Sequence, residues 1–188
     1  VCTSRRETVD GFEETFAVNH LAPFLLTGIL LPRLREAKAA RIVNVSSGAH
    51  AFSRDMNFDD IQAQQNYRTF TVYGRSKLAN ILFTRYLAAR LQPEAITVNS
   101  LHPGAVRTDM IQATLAESDN VALAQKNYKL AQAIGLKPAM AAKIIVRAIR
   151  KDRIRVRVGG DSLVLDILKR LLPRAIHWPM GVLFKRLM

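Results

Sequence analysis

The sequence predicts an α/β fold with a parallel sheet, and three segments lead to this prediction. Two apolar, β-branched runs, at 41–47 and 96–102, are followed by serine, proline or glycine, as buried strands are before a turn. Between them, residues 71–91 predict a helix whose apolar side chains recur every three or four positions. That stripe consists of Leu78, Ile81, Leu82, Tyr86, Leu87 and Leu91. Strands that alternate with helices are typical of parallel sheets flanked by helices.

The first part of the chain predicts one long helix, from residue 10 to about residue 36. Apolar side chains recur along it, and Pro23 lies inside it, where proline kinks a helix. Asn19 lies in the middle of this apolar segment, which is an unusual place for an amide. It is either a core group satisfied by backbone atoms or part of a site, and the residues alone leave both interpretations open.

The composition is that of a single globular domain. The chain has 188 residues, of which 49% are hydrophobic and 23% are charged, and its one cysteine, Cys2, excludes an internal disulfide framework. The longest uninterrupted apolar runs, 21–32 and 175–184, are shorter than the roughly 20 residues that cross a bilayer. We therefore expect no membrane span and a cytoplasmic location.

A tyrosine and a lysine lie one helical turn apart near the start of the helix at 71–91. Tyr73 and Lys77 are at i and i+4, so their side chains emerge next to each other. A neighbouring ammonium and the helix N-terminus both favour a phenolate, so we expect the pKa of Tyr73 to be lowered. The pair then predicts general acid–base chemistry, although it also fits an ordinary helix surface.

Both predicted strands end in residues that suit a ligand site. Ser46, Ser47 and Gly48 follow the first strand, and Pro103 and Gly104 follow the second. In open α/β sheets, ligands bind beyond the carboxyl ends of the strands. His102 precedes the Pro-Gly pair, but no second histidine or cysteine lies at metal-ligand spacing, so we predict no metal site.

Four segments in this order carry a resemblance to a known family. They are VNHLAPFLLT, RIVNVSS, YGRSKLANILFT and HPGAVRTD. With them the chain resembles the short-chain dehydrogenase/reductases, and among these the retinol-dehydrogenase-like members; the likeness is close over 8–109 and loose elsewhere. It implies the C-terminal part of a Rossmann-like, doubly wound parallel sheet. The first half of the chain has no Gly-rich turn, so we expect residues 1–188 to form a single partial domain that lacks the N-terminal cofactor-binding portion.

The resemblance also implies an activity and the residues that carry it. The activity is NAD(P)-dependent interconversion of a carbonyl and an alcohol on an apolar, retinoid-, steroid- or lipid-like substrate, with NADP slightly favoured over NAD. The implied catalytic residues are Asn19, Ser47, Tyr73 and Lys77, and the implied cofactor-binding residues are Asn19, Tyr73, Lys77, Pro103, Gly104, Val106 and Thr108. Asn19 would hold a water behind Lys77, and the helices around Asn19 and Tyr73 would form a homodimer interface.

A non-enzymatic alternative stays open at this point. A catalytically incomplete piece of such a fold would serve as an interaction module that pairs with another chain. This alternative predicts that the strand at 42–45 lacks a neighbour and presents an open apolar edge.

The remaining segments are less distinctive. Residues 50–71 predict a lid or a substrate-facing excursion, and 110–135 a mobile helical flap. Residues 138–151 predict a helix, and Ala142, Ile145, Val146 and Ile149 are expected to face inward. A third strand is predicted near 153–159 because apolar residues alternate there with arginines, which suit a sheet edge.

The net charge of +13 and the pI of about 10.6 come largely from the last third of the chain. Residues 161–188 predict a basic amphipathic tail. Peripheral contact with an anionic membrane and a solvated basic face are both compatible with this charge. Nucleic acid is not expected as a partner, since the basic stretches carry no recognition motif.

Overall fold

The computed structural model describes residues 2, 4–53, 55–104, 106–108, 121–151, 158–160, 167 and 171. The chain divides into two compact units, Val1–His102 and Pro103–Met188, and each unit is considered by itself. Most of the expected tail at 161–188 lies outside the described residues, so the tail and the single partial domain at 1–188 stay predictions.

Two parallel strands form the sheet of the first unit. β1 is Ala40–Val45 and β2 is Ile96–Leu101, and they pair in register from one end to the other. Because parallel strands place their carboxyl ends at one edge, Ser47 and His102 lie just beyond the same edge of the sheet. Two predicted strands are thereby confirmed. The third, near 153–159, falls mostly outside the described residues.

The helix predicted at 71–91 is α3, Thr69–Arg90, and it packs on these strands. One apolar cluster joins the two strands to the C-terminal end of α3; its buried members are Ala40, Ile42, Leu87, Leu91, Ile96 and Val98. Leu91 is only 1% exposed. Burial of these side chains holds the helix against the sheet and fixes the direction in which its N-terminal residues project.

The buried face of α3 matches the predicted stripe only in part: Leu87 and Leu91 are buried, and Leu78 and Ile81 are half-buried. Leu82 and Tyr86 are 44% and 63% exposed, whereas Ser76, Asn80 and Thr84 are buried. These three polar residues follow one another at i, i+4 and i+8, so they form a polar row on the inward side of the helix. The row faces β1, where Asn44 donates a 2.9 Å hydrogen bond to the Thr84 hydroxyl.

The N-terminal helix contains a wide turn. A short helix, α1 (Glu14–Phe16), continues through a π turn at Ala17–Leu21 into α2 (Ala22–Glu36). The sequence predicted one helix bent at Pro23, but Pro23 lies in the first turn of α2, and the irregular turn is on its N-terminal side. Proline has no N–H to donate to the carbonyl four residues earlier, which is that of Asn19.

The helical segment Glu14–Glu36 is long and apolar enough to cross a membrane, judged by length and composition only. The apolar runs counted from the sequence did not indicate it, because Asn19 and His20 end the run at 21–32 on its N-terminal side. Core helices of soluble proteins have the same length and composition, so the segment suits either a membrane or a protein core.

A buried carboxylate caps the start of α1. Glu13 is fully buried, and its two carboxylate oxygens accept from the backbone N–H groups of Thr15 and Phe16 at 2.9 and 2.6 Å.

We expect Glu13→Ala to lower the free energy of unfolding by about 1–2 kcal/mol, because both N–H groups lose their acceptor. Urea unfolding followed by circular dichroism measures it. In the control, Glu14→Ala removes a partly exposed carboxylate 3.4 Å from Arg6 and should change stability by less than about 0.5 kcal/mol; equal losses would contradict the capping role.

The connection between β1 and α3 packs against the helices of the first unit. The buried Arg75 side chain donates to the Asp60 carbonyl at 2.9 Å, and the Gln62 side chain accepts from the Glu13 N–H at 2.7 Å. Ala63 is fully buried with a φ of +50°. The sequence predicted a lid or substrate-facing excursion here, but these contacts tie the segment to α3 and to the start of α1.

The second unit contains two described helices, α4 (Val121–Ile134) and α5 (Pro138–Arg150). α5 confirms the helix predicted at 138–151, and Pro138 lies in its first turn, as expected. Its predicted inward face is wrong by one position: Ala141 is buried and Ile144, Ile145 and Ala148 are half-buried, whereas Ala142, Val146 and Ile149 are exposed. Two apolar stripes lie side by side on this helix, so spacing alone could not choose between them.

Candidate active site

Ser47 lies two residues beyond the end of β1 and follows Ser46, which points the other way. The Ser46 hydroxyl is 2% exposed and donates to the Lys77 carbonyl at 2.8 Å, so it has a structural role. Ser47 is half-buried, and its hydroxyl accepts from the Ala49 N–H at 3.1 Å at the start of a 3₁₀ turn, Gly48–Phe52. Successive side chains of an extended backbone point to opposite sides, so Ser46 has a structural role and Ser47 faces the candidate site.

Tyr73 and Lys77 lie in the second and third turns of α3. The Ser47 side chain is close enough to the Tyr73 phenol to act on its ionisation. The Lys77 ammonium lies over the Tyr73 ring, 5.5 Å from its centroid, and 3.5 Å from the Val45 carbonyl oxygen at the end of β1. The structure thus brings two hydroxyl groups and an ammonium together at the carboxyl end of a parallel strand.

The pKa of Tyr73 moves in the opposite direction from the one predicted. Burial raises the pKa of Tyr73 by disfavouring the phenolate, and the hydrogen bond from Ser47 opposes this rise. Burial also lowers the pKa of Lys77. The predicted decrease for Tyr73 was wrong because the sequence did not show how deeply the phenol is buried.

Asn19 lies in the π turn and reaches α3 through its side chain. Its amide nitrogen donates to the Ser76 hydroxyl at 3.1 Å, and Ser76 donates to the Tyr73 carbonyl at 2.7 Å. The Asn19 carbonyl accepts from the Asn80 amide nitrogen at 2.9 Å. Asn19 is therefore coupled to the backbone of α3 at Tyr73, and the water that it was expected to hold behind Lys77 stays a prediction.

The four remaining site residues belong to the second unit. The Gly104 N–H donates to the Val158 carbonyl at 3.1 Å, and Val106 forms a parallel bridge with Leu136. Pro103 and Thr108 are half-buried. Their expected contacts with a nicotinamide stay predictions.

Comparison with known proteins identifies the family. Residues 2–119 match the family model described as short chain dehydrogenase, which is more than half of the chain. The chain belongs to the short-chain dehydrogenase family. The resemblance found in the sequence is thereby confirmed.

Curated members of the family match part of this chain. Human retinol dehydrogenase 14 is 54% identical over 104 residues, which are 55% of this chain and 31% of that protein. Mouse retinol dehydrogenase 12 is 51% identical over 104 residues, which are 55% of this chain and 33% of that protein. The matched part therefore spans about a third of the length of these curated relatives.

Solved short-chain dehydrogenases share the fold over most of the chain. One from Burkholderia cenocepacia, in complex with NADP, has a TM-score of 0.61 at 15% identity and covers 95% of this chain and 64% of its own. Another, from Streptomyces avermitilis, has a TM-score of 0.57 at 21% identity and covers 95% of this chain and 66% of its own. The predicted α/β fold of Rossmann type is confirmed.

Two polar features of this short-chain dehydrogenase were missed from the sequence. One is the row of Ser76 and Asn80 that receives the π turn; its signal was polar residues at a spacing of four within an apolar helix. The other is His50, which lies at the end of the sheet, where its ring contacts that of His102 at a centroid distance of 5.5 Å. His50 Nδ1 lies 2.7 Å from the Ser47 carbonyl, and since a carbonyl only accepts, this nitrogen donates.

Proposed function

We propose that this short-chain dehydrogenase interconverts a carbonyl and an alcohol with NADP or NAD. The observation that supports this proposal is the meeting of Ser47, Tyr73 and Lys77 beyond the end of β1, with the Lys77 ammonium over the tyrosine ring. Two hydroxyl groups suit a carbonyl oxygen that gains negative charge, and one of them carries a proton to give.

Each residue of this site has its own role in the proposed reaction. Ser47 and Tyr73 hydrogen-bond to the substrate oxygen and orient it. Tyr73 donates its proton to that oxygen during reduction, and the Lys77 ammonium stabilises the phenolate that remains. In oxidation Tyr73 takes the proton back. A bound nicotinamide supplies hydride in one direction and accepts it in the other.

The cofactor fits the donors that this chain offers. The Lys77 ammonium and the Tyr73 hydroxyl are suited to ribose hydroxyl groups, and they lie beyond the end of a parallel strand, where nucleotides bind in open sheets. We assign the remaining contacts to Asn19 and, in the second unit, to Pro103, Gly104, Val106 and Thr108. NADP is favoured over NAD by family resemblance.

We propose a retinoid or a similarly apolar carbonyl as the substrate. The names of the two matched relatives, which are about half identical to this chain over 104 residues, support this choice. The assay incubates the protein with NADPH or NADH and retinal, a ketosteroid or a long-chain aldehyde, and follows the absorbance of the reduced nicotinamide. Consumption with at least one carbonyl is expected, and no consumption with any of them would refute the proposal.

The pH dependence of the reaction follows from the raised pKa of Tyr73. We expect the rate of reduction to be flat near neutral pH and to fall as pH rises through that pKa, because the phenol then loses its proton. Oxidation should rise over the same range, because the phenolate accepts a proton. Profiles of kcat in both directions measure this, and a fall of reduction centred near neutral pH would contradict it.

A non-catalytic interaction module is the second candidate. Among the described residues, β1 pairs with β2 alone, which fits the open edge that this alternative predicted. Calorimetry separates the two candidates. Binding of NADP or NAD favours the enzyme. A protein that binds neither cofactor and no carbonyl substrate favours the interaction module.

We also propose a homodimer through α2. Its side chains Phe24, Leu25 and Ile29 are 52%, 63% and 64% exposed. Pairing with a second copy would remove this apolar surface from water. A monomer in analytical ultracentrifugation would contradict the proposal. Contact of the tail at 161–188 with a membrane stays a prediction that vesicle sedimentation can test.

A further inference from the structure

The Asn80 carboxamide is buried and has a defined orientation. It is 4% exposed, and its nitrogen lies 2.9 Å from the Asn19 carbonyl oxygen and 3.4 Å from that of Val45. Its oxygen lies 2.9 Å from His20 Nδ1. Carbonyl oxygens only accept, so the amide nitrogen must face them, and His20 Nδ1 must then carry the proton that it donates to Asn80. The position of each atom follows from its partners.

The reason that Asn19 needs this donor lies in its own helix. In an α-helix the Asn19 carbonyl would accept from the N–H of residue 23, but residue 23 is proline and has none. The turn widens here, with the Ala22 N–H donating to the Ala17 carbonyl. Asn19 is half-buried, and Asn80 donates to its carbonyl from α3, so this carbonyl has a donor from outside its own helix.

The same carboxamide reaches the place where Lys77 is held. The Val45 carbonyl oxygen lies 3.5 Å from the Lys77 ammonium and 3.4 Å from the Asn80 nitrogen. Asn80, in the fourth turn of α3, therefore joins this helix to the π turn and to the end of β1. His20 anchors the other end of the amide, and its ring packs against Phe16 and Phe83 at centroid distances of 5.1 and 6.3 Å.

We propose that Asn80 is a positioning residue that holds the Val45 carbonyl and the π turn in place, so that the Lys77 ammonium stays over the Tyr73 ring. The inference rests on the proposed function, in which Lys77 stabilises the phenolate. Asn80 itself touches neither substrate nor cofactor in this role. The titratable groups around it are Lys77 and Tyr73 on α3 and His20 on the π turn.

Asn44 supplies a matched control. It is also a buried asparagine between β1 and α3, 7% exposed, and it donates to Thr84, one turn beyond Asn80. We expect Asn80→Ala to lower kcat for reduction about tenfold, with KM changed less than about twofold, because a displaced ammonium affects the transition state more than substrate binding. Asn44→Ala should lower the unfolding midpoint and leave kcat within about twofold.

A charge at the same position gives a second, sharper readout. The Lys77 ammonium and the Asn80 nitrogen are less than about 7 Å apart, because both lie within 3.5 Å of one oxygen. Asn80→Asp cannot donate to the two carbonyls, and its carboxylate disfavours a nearby phenolate. We expect the alkaline limb of the reduction profile to move upward by about one pH unit, and Asn44→Asp to move it by less than about 0.3.

Two measurements keep the test decisive if a variant is inactive or unstable. The Tyr73 phenol can be titrated without turnover, from the ultraviolet difference between each variant and the same variant with Tyr73→Phe. His20→Phe preserves the aromatic packing but removes the donor to Asn80, and a smaller upward movement of the phenol titration is expected.

The outcomes separate this inference from the function on which it rests. If Asn80→Ala and Asn80→Asp keep the wild-type kcat and phenol titration, or if the Asn44 variants move both equally, Asn80 is not a positioning residue. If Tyr73→Phe retains turnover, the proposed function fails, whatever the Asn80 variants do. Loss of activity in Tyr73→Phe together with wild-type Asn80 variants would refute the positioning role alone.

Discussion

Replacing Tyr73 with phenylalanine is expected to lower kcat for carbonyl reduction by about 10²–10⁴-fold, the usual contribution of a positioned general acid. The change removes the hydroxyl beside Ser47 and leaves the ring beneath the Lys77 ammonium. Steady-state kinetics on the protein, with the most active carbonyl from the substrate screen, measure the effect.

The fold should tolerate this substitution. The contacts of the ring are kept, so we expect the unfolding midpoint to stay close to that of the wild type. Tyr86→Phe is the matched control: it lies on the same helix, is 63% exposed, and should keep kcat within about twofold. A Tyr73→Phe variant that retains more than about a tenth of the wild-type kcat would remove Tyr73 from the mechanism.

The elements around the site were predictable because each carries its own periodic signal. β1 and β2 are continuous β-branched runs, and α3 has helical spacing over 22 residues. The meeting of Ser47 with Tyr73 and Lys77 was implied by the family resemblance, and it agrees with the geometry, since residues beyond a parallel strand lie next to the start of the helix that follows it.

The electrostatics of the site were not predictable in the same way. The direction of the Tyr73 pKa shift depends on how much water and neighbouring atoms surround the phenol, which is a property of packing between elements. Spacing showed that an ammonium was near. It did not show that burial would outweigh it.

The contacts of Asn19 illustrate the same limit. The sequence showed an amide in an apolar helix and a proline four residues later, but not that a carbonyl would be freed and taken by another helix. Ser76 and Asn80 lie in a helix whose leucine spacing predicted an inward face that did not include them. Several faces of α3 can bury apolar area. The amide and the backbone carbonyl of Asn19 in the π turn require hydrogen-bond partners, and this favours the face of α3 that carries hydroxyl and amide groups.

Leu91→Ala is expected to have the largest effect on stability, a loss of about 2–5 kcal/mol in the free energy of unfolding. Leu91 lies just beyond α3, is 1% exposed, and packs in the cluster that joins this helix to both strands. Truncation removes buried apolar area and leaves a cavity between rigid elements, where little can move to fill it. Chemical denaturation followed by circular dichroism measures the loss.

Leu82→Ala on the same helix tests whether burial is the cause. Leu82 is 44% exposed, so its truncation removes far less buried surface and should cost less than about 1 kcal/mol. Both variants shorten a leucine to alanine, so the denatured state affects them similarly. The higher helix propensity of alanine favours only the Leu82 variant, because Leu91 lies just beyond the helix. If Leu91→Ala cost no more than Leu82→Ala, the junction of α3 with β1 and β2 would not be the core of this unit, and the placement of Tyr73 and Lys77 beside Ser47 would need another physical cause.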